Sequence, residues 1–244
     1  MLGLILATGT GLLMFIYISI IYLPVIALKK ERAGVELARE KLKLISNFVL
    51  KSLDVRLKVI YKNRESVDSL DKKKGIIYVC NHQSNLDIPV IVSALNMDVG
   101  FVAKKEMRTW PFFSIWMKKS RCVFLNRENP REGIKDIKEA VKLIKKGYPI
   151  VIFPEGERTL TGDILNFKKG SFKLATETDG IIVPLTLKGT FDIQKRGQWR
   201  MSRGKSVTLV VDEPIHMDTL TKEEIKGLSG RVSDIIKNNY SHIK

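Results

Sequence analysis

Cysteine and histidine are scarce in this 244-residue chain, which holds Cys80 and Cys122, and His82, His216 and His242. Two cysteines cannot build a disulfide framework and exclude every multi-cysteine zinc module, and three histidines leave little material for a metal site. Acidic side chains are outnumbered, 26 Asp and Glu against 42 Lys and Arg, for a formal charge of +16. The first 28 residues carry no charge at all, so the whole excess sits on the remainder. Internal repeats, low-complexity tracts and Pro/Ser-rich linkers are also missing. What is present is an apolar fraction of 44%, which excludes a disordered chain, over a length sufficient to bury a substantial core.

The charge-free start is rich in Leu, Ile, Phe and Tyr from residue 2 to 28. At about 1.5 Å rise per residue a helix of that length exceeds the roughly 30 Å hydrocarbon core of a bilayer. There is no basic n-region and no small-residue cleavage site before Lys29, so the segment reads as membrane-associating rather than as a signal peptide. Gly9-Thr10-Gly11 and Pro24 are points at which it can kink, and whether it crosses the bilayer is left open. Over residues 33–53, Val35, Leu37, Leu42, Leu44, Ile45, Phe48, Val49 and Leu53 alternate with Arg39, Lys41, Lys43 and Lys51. That pattern suits a basic amphipathic helix at an anionic headgroup surface, or equally a helix packed on the domain that follows. Lys29, Lys30 and Arg32 place that domain on the cytoplasmic side of a cell membrane. Residues 1–54 are thus expected to be membrane-associating helices and residues 55–244 a separate α/β domain.

In that domain short apolar runs at 55–61, 76–80, 100–103, 122–125, 149–153, 181–187 and 207–211 read as strands. Helices are expected over 88–95, 108–118, 169–178 and 222–240, and through Ile134, Ile137, Val141 and Ile144 up to Gly147. Such alternation predicts an α/β fold with a largely parallel central sheet flanked by helices. In open sheets of this kind ligands bind beyond the carboxyl ends of the strands. Asn81-His82, Asn126-Arg127 and Pro154-Glu155-Gly156 each follow a predicted strand directly, so three strands deliver polar groups to one edge.

Three constellations could carry chemistry there. In Asn81-His82-Gln83-Ser84-Asn85-Leu86-Asp87, a turn before a helix starting near Asp87 would fold its carboxylate onto the imidazole and make His82 a proton acceptor. Ser84 and Asp87 also fit a helix capping box. In Phe153-Pro154-Glu155-Gly156-Glu157-Arg158-Thr159, Pro154 ends a strand, Gly156 allows a positive φ and Arg158 offers a planar fork for an oxyanion; a plain surface turn would look the same. Phe124-Leu125-Asn126-Arg127 follows Lys104, Lys105 and Arg108, and residues 101–131 hold 8 basic and 2 acidic side chains. Arg127 and Arg158 could clamp a phosphate with Lys104 or Lys105 adding charge, or the run could be a solvated face. Ile181-Ile182-Val183-Pro184-Leu185 reads as sheet core, with Pro184 ending a strand.

Together, over roughly residues 76–189, these motifs resemble the glycerolipid acyltransferase family, specifically its 1-acylglycerol-3-phosphate (lysophosphatidate) acyltransferases. The family's N-H-x-x-x-x-D stands as Asn81-His82 through Asp87, its arginine-ended motif as Phe124 to Arg127, its F-P-E-G-x-R as Phe153 to Arg158, and its proline-bearing motif as Val183-Pro184. Val102-Ala103-Lys104-Lys105-Glu106 and Trp110-Pro111-Phe112-Phe113 look like the segment between the first two. The family often has threonine and serine flanking the third-motif arginine, where this chain has Glu157 and Thr159, and often an acid where it has Asn126. Those departures bear on acceptor recognition.

The resemblance implies that His82 is the general base toward the sn-2 hydroxyl of lysophosphatidate and that Asp87 orients it. It implies direct attack on an acyl thioester, acyl-ACP (acyl carrier protein) or acyl-CoA, with backbone N–H groups that include Gly156 stabilising the oxyanion. Glu155 would order the turn; Lys104, Lys105, Arg127 and Arg158 would bind the acceptor's phosphate; and a buried apolar groove would take the donor chain. A thioester is already activated, so no metal and no cofactor is expected, and the positive charge suits anionic membrane lipid. Three rivals stand beside this reading: a sibling acyltransferase acting on glycerol 3-phosphate or another lysophospholipid, an acyl-enzyme route through Cys80, and a membrane-anchored binder of nucleic acid or anionic protein. No helix-turn-helix, zinc-finger or ribonucleoprotein signature supports the last, so nucleic acid is not expected as a partner.

Overall fold

The computed structural model describes residues 2–95, 99–110, 112–126 and 128–243, with side chains described from residue 13 apart from Lys72 and Pro130. Two helices come first, α1 (Leu2–Leu28) and α2 (Glu31–Ser52). They pack together, and Phe15, Ile18 and Ile26 of α1 share an apolar cluster with Ala38 of α2 and with Trp116. Helix α1 runs on through Gly9–Gly11 and Pro24. Its Leu13, Tyr17, Ile20 and Leu28 are exposed. Among the described residues no helix is long and apolar enough to cross a membrane. Of the two roles open to α2, packing on the domain is seen, since Leu50 and the adjoining Leu53 join the main core and the helix lies against α4 (Asp87–Ala94), which comes after the short α3 (Arg64–Asp68).

The eight strands are β1 (Arg56–Tyr61), β2 (Ile76–Cys80), β3 (Gly100–Lys104), β4 (Val123–Leu125), β5 (Ile150–Ile152), β6 (Ile181–Lys188), β7 (Ser206–Val211) and β8 (Ile215–His216). They form one sheet in the order β1-β7-β6-β2-β5-β3-β4, with β8 paired to β6. From β6 to β4 every pairing is parallel; β6 meets β7 and β8 antiparallel. Strand β2 is buried at every residue because both sheet faces are covered, which is why its sequence is apolar throughout rather than alternating. Ile76, Tyr78 and Cys80 face one core with α2 and α4; Ile77 and Val79 face the other with α6 (Pro130–Lys145) and α8 (Lys222–His242). Asn129 caps α6 by accepting from the amides of Arg131 and Glu132, and a Thr221–Glu224 capping box opens α8.

The seven strands read from sequence are all present, and three expectations are corrected. The helix expected over 108–118 is a 3-10 turn, Lys105–Thr109, followed by α5, Phe113–Lys119. Pro111 between them lies outside the described residues, but a proline biases the preceding residue to extended backbone, and Trp110 has ψ 121°. The helix expected over 169–178 is likewise a 3-10 turn, Lys169–Phe172, leading into the short α7, Lys173–Thr176. Pro184 does not end β6 but lies inside it. On the antiparallel side β8 pairs Ile181 and Ile182 while β7 pairs Leu185 to Lys188, so Pro184 falls at the changeover, where a missing amide hydrogen breaks no ladder bond.

Candidate active site

The polar groups gather beyond the carboxyl ends of β2, β5 and β6. Asn81 extends the β2–β6 ladder with its side chain, its amide donating to the Leu187 carbonyl and its oxygen accepting from the Leu187 N–H, both at 2.8 Å. The next residue, His82, is thereby fixed at the strand end. Its Nδ1 lies 2.7 Å from Asp87 Oδ2. Asp87 begins α4 and is fully buried. Its Oδ2 also accepts the amides of Gln83 at 2.6 Å and Ser84 at 3.0 Å, and its Oδ1 accepts the Thr190 hydroxyl at 2.5 Å. The carboxylate reaches back to Ser84 as in a capping box and holds His82 as well, so both readings of the motif meet in one group. A carboxylate on Nδ1 selects the tautomer with its proton there and leaves Nε2 as acceptor. The imidazole stacks on Phe153, ring centroids 3.9 Å apart at 15°, and keeps 17% of its side chain exposed.

Glu155 ties two loops to the histidine. Its Oε1 accepts the His82 amide at 2.6 Å and its Oε2 the Leu165 amide at 2.7 Å. Burial pushes its pKa up to about 7, against the lowering effect of those two bonds. Gly156 has φ +81°, and a Cβ there would lie 2.7 Å from Lys168 Nζ. Its amide donates to the Phe153 carbonyl at 3.0 Å, closing the turn. The expected oxyanion-donor role therefore does not suit Gly156 in this geometry, because its one N–H is already committed.

The cationic residues divide. Arg158 is half-buried, and among the described residues its guanidinium makes no hydrogen bond or ion pair. Burial and then the charge of Arg196 lower its pKa from the usual arginine value. Lys104 and Arg158 line the same cavity as His82. Lys105 is paired instead with Glu132. Arg127 lies outside the described residues. The adjoining Asn126 is structural: its side chain accepts the amides of Glu128 and Asn129 and donates to Glu132.

That cavity, about 970 Å³, has His82, Phe153, Lys104, Arg158 and Arg196 on its wall and runs between α2, α4 and α5 past Leu42, Ile45, Val49, Val92, Phe101 and Trp116. It is polar where the motifs stand and mostly apolar elsewhere. A second cavity, about 620 Å³, lies over β1 and β7 and includes none of the motif residues. Cys80 is fully buried and burial pushes its thiol well above the usual range, so it has neither the exposure nor the thiolate character of a nucleophile.

Sequence reasoning missed Thr190, Gln83 and Arg196. Thr190 follows β6 just as His82 follows β2, so the same rule of polar groups beyond parallel strand ends would have found it. Gly189, with φ +108° and no room for a Cβ beside the Ser206 carbonyl, makes the turn that brings it in. The Gln83 side chain accepts the Gly189 amide and donates to the Tyr240 hydroxyl, fastening α8 to the same turn. Arg196, on the loop between β6 and β7, carries no local signal.

Comparison with known proteins shows the family to which the chain belongs. A family model described as acyltransferase matches residues 58–188. A "Probable 1-acyl-sn-glycerol-3-phosphate acyltransferase" of Mycoplasma pneumoniae is 31% identical over 196 residues, 76% of this chain and 72% of that protein. The chloroplastic 1-acyl-sn-glycerol-3-phosphate acyltransferase LPAT1 of Arabidopsis thaliana is 36% identical over 140 residues, 57% of this chain but only 39% of its own length. The crystal structure of the 1-acyl-sn-glycerophosphate acyltransferase PlsC from Thermotoga maritima superposes with a TM-score of 0.76 at 25% identity, covering 96% of each chain.

Proposed function

Because the chain belongs to the acyltransferase family, we propose that it moves a fatty acyl group from an acyl thioester to the sn-2 hydroxyl of 1-acylglycerol 3-phosphate, forming phosphatidic acid. The observation that carries this reading is the buried Asp87 holding His82 on the wall of a largely apolar cavity that Lys104, Arg158 and Arg196 also line. His82 Nε2 takes the hydroxyl proton as the oxygen attacks the thioester carbon. The tetrahedral intermediate collapses with cleavage of the C–S bond, and the imidazolium returns the proton to the departing thiolate. Asp87 stabilises the imidazolium in between; a positioned base of this kind contributes roughly 10²–10⁴ in rate. The amides of Glu157 and Arg158, which make no hydrogen bond among the described residues, are the oxyanion donors next to the Gly156 turn. Arg158 and Lys104, with Arg127, receive the phosphate, and the apolar part of the cavity takes the donor's chain, from acyl-ACP or acyl-CoA.

Residues 1–54 form the membrane-associating part and 55–244 the transferase. The exposed Leu13, Tyr17, Ile20 and Leu28 of α1 support contact with lipid, and the basic residues after it support a cytoplasmic face against anionic headgroups. The test is acyl transfer by detergent-purified protein with lysophosphatidate, glycerol 3-phosphate and lysophosphatidylcholine competing as acceptors. Phosphatidate should dominate the product. Preferential acylation of another acceptor would reassign the substrate, and no product from any acceptor with either donor would overturn the reaction.

A further inference from the structure

The Glu157–Arg196 pair lies on the cavity beside the base, and no family motif accounts for it. Arg196 comes from the loop between β6 and β7, whose foot is fixed: Ile193 and Gln194 are buried, both their amides donate to the Thr190 carbonyl, and the Gln194 side chain accepts from Asn85. From that footing Arg196 Nη1 donates to Glu157 Oε2 at 2.7 Å and to the Arg158 carbonyl at 3.0 Å. Its remaining N–H groups make no hydrogen bond among the described residues, and neither does the Arg158 guanidinium beside it. Two planar forks thus line one cavity, and the carboxylate that Arg196 holds is half-exposed.

We infer that Arg196 is a second arm of the site for the acceptor's phosphate monoester, and that Glu157 is a stand-in anion which the phosphate displaces. The inference rests on the lysophosphatidate reading. A phosphate monoester carries about −1.5 to −2 charge at neutral pH and three acceptor oxygens, so it can bridge two guanidiniums where the carboxylate engages one. Releasing a half-exposed carboxylate to water costs little, since exposed ion pairs are weak. A neutral side chain in place of Glu157 would leave Arg196 open, so this chain should bind its acceptor against an internal competitor.

A purely structural latch and a phosphate arm predict different signs. Steady-state kinetics in mixed detergent–lysophosphatidate micelles at saturating donor would compare wild type, Arg196→Gln and Glu157→Gln, with thermal melts confirming that each is folded. As a phosphate arm, Arg196→Gln raises KM for lysophosphatidate about 10- to 100-fold, with a smaller fall in kcat and no more than a threefold change in KM for the donor. Glu157→Gln lowers KM for lysophosphatidate, by up to about fivefold. A latch would raise KM in both variants. The inference is overturned if Arg196→Gln leaves KM for lysophosphatidate within twofold of wild type, or if Glu157→Gln leaves it unchanged or raises it. Should Arg196→Gln fail to fold, the Glu157→Gln result decides alone. Wild type that forms no phosphatidate refutes the proposed reaction; active wild type with an indifferent Arg196→Gln refutes only the second arm.

Discussion

The two sides of the candidate site are built on opposite principles. On the β2 side the groups that hold the histidine are each satisfied more than once: Asp87 accepts four hydrogen bonds, Glu155 two, and Asn81 completes a ladder in both directions. On the cationic side, the Arg158 guanidinium has no partner among the described residues, and Arg196 holds one half-exposed carboxylate and the Arg158 carbonyl. A group that must hold an imidazole within hydrogen-bond reach of a reacting proton gains from being over-determined. A group that must receive an anion gains from being left uncompensated, as the Arg158 guanidinium is, because a resident counter-ion such as Glu157 on Arg196 has to be displaced first. The difference separates positioning from binding within one cavity.

The contrast predicts that damage to the β2 side lowers kcat and damage to the cationic side raises KM. Asp87→Asn should show the largest effect, a loss of kcat on the order of 10²-fold or more with KM nearly constant, because an amide no longer stabilises the imidazolium. Arg158→Gln should raise KM for lysophosphatidate about 10- to 100-fold, the worth of one charge-assisted bond of about 1.5–3 kcal/mol. A fall in kcat without a rise in KM would erase the distinction. Thr190→Val should lower kcat about tenfold by removing one of Asp87's four donors, and Thr190→Ser should restore it. Loss that serine fails to rescue would mean that Thr190 acts through packing instead.

The smallest effect concerns pH. Glu155 titrates at about 7 in the fold against 4.5 ordinarily, so between those values the folded protein binds a proton that the unfolded chain has released. The stability this contributes is fully present below about 4.5 and is lost as pH rises through about 7. Denaturant titrations across that range should show wild type losing stability relative to Glu155→Gln as pH rises. Parallel profiles would mean that the two backbone bonds outweigh burial.

Much of this was legible before any coordinates. Apolar runs bounded by polar residues revealed the seven longer strands because a sheet covered on both faces needs them. The rule of strand ends brought His82, Asp87, Glu155 and Arg158 to one edge. Two-residue β8 escaped because so short a run has no period, and the 108–118 helix failed where Pro111 outweighed apolar spacing. Thr190 follows β6 as His82 follows β2, so the rule of strand ends reaches it once it is applied there, whereas Arg196 lies in a loop with no local signal and only the assembled fold brings it to Glu157. Gly156 was recognised as a turn residue, but sequence could not show that the turn consumes its amide.

The central claim is that His82 removes the acceptor's proton and that no enzyme side chain is acylated on the way. Phosphatidate formation by folded His82→Ala, at saturating lysophosphatidate and donor, tests it most directly. The account predicts a fall in kcat of at least about 10²-fold with an intact thermal melt. A folded His82→Ala protein that retains kcat within threefold of wild type would contradict it.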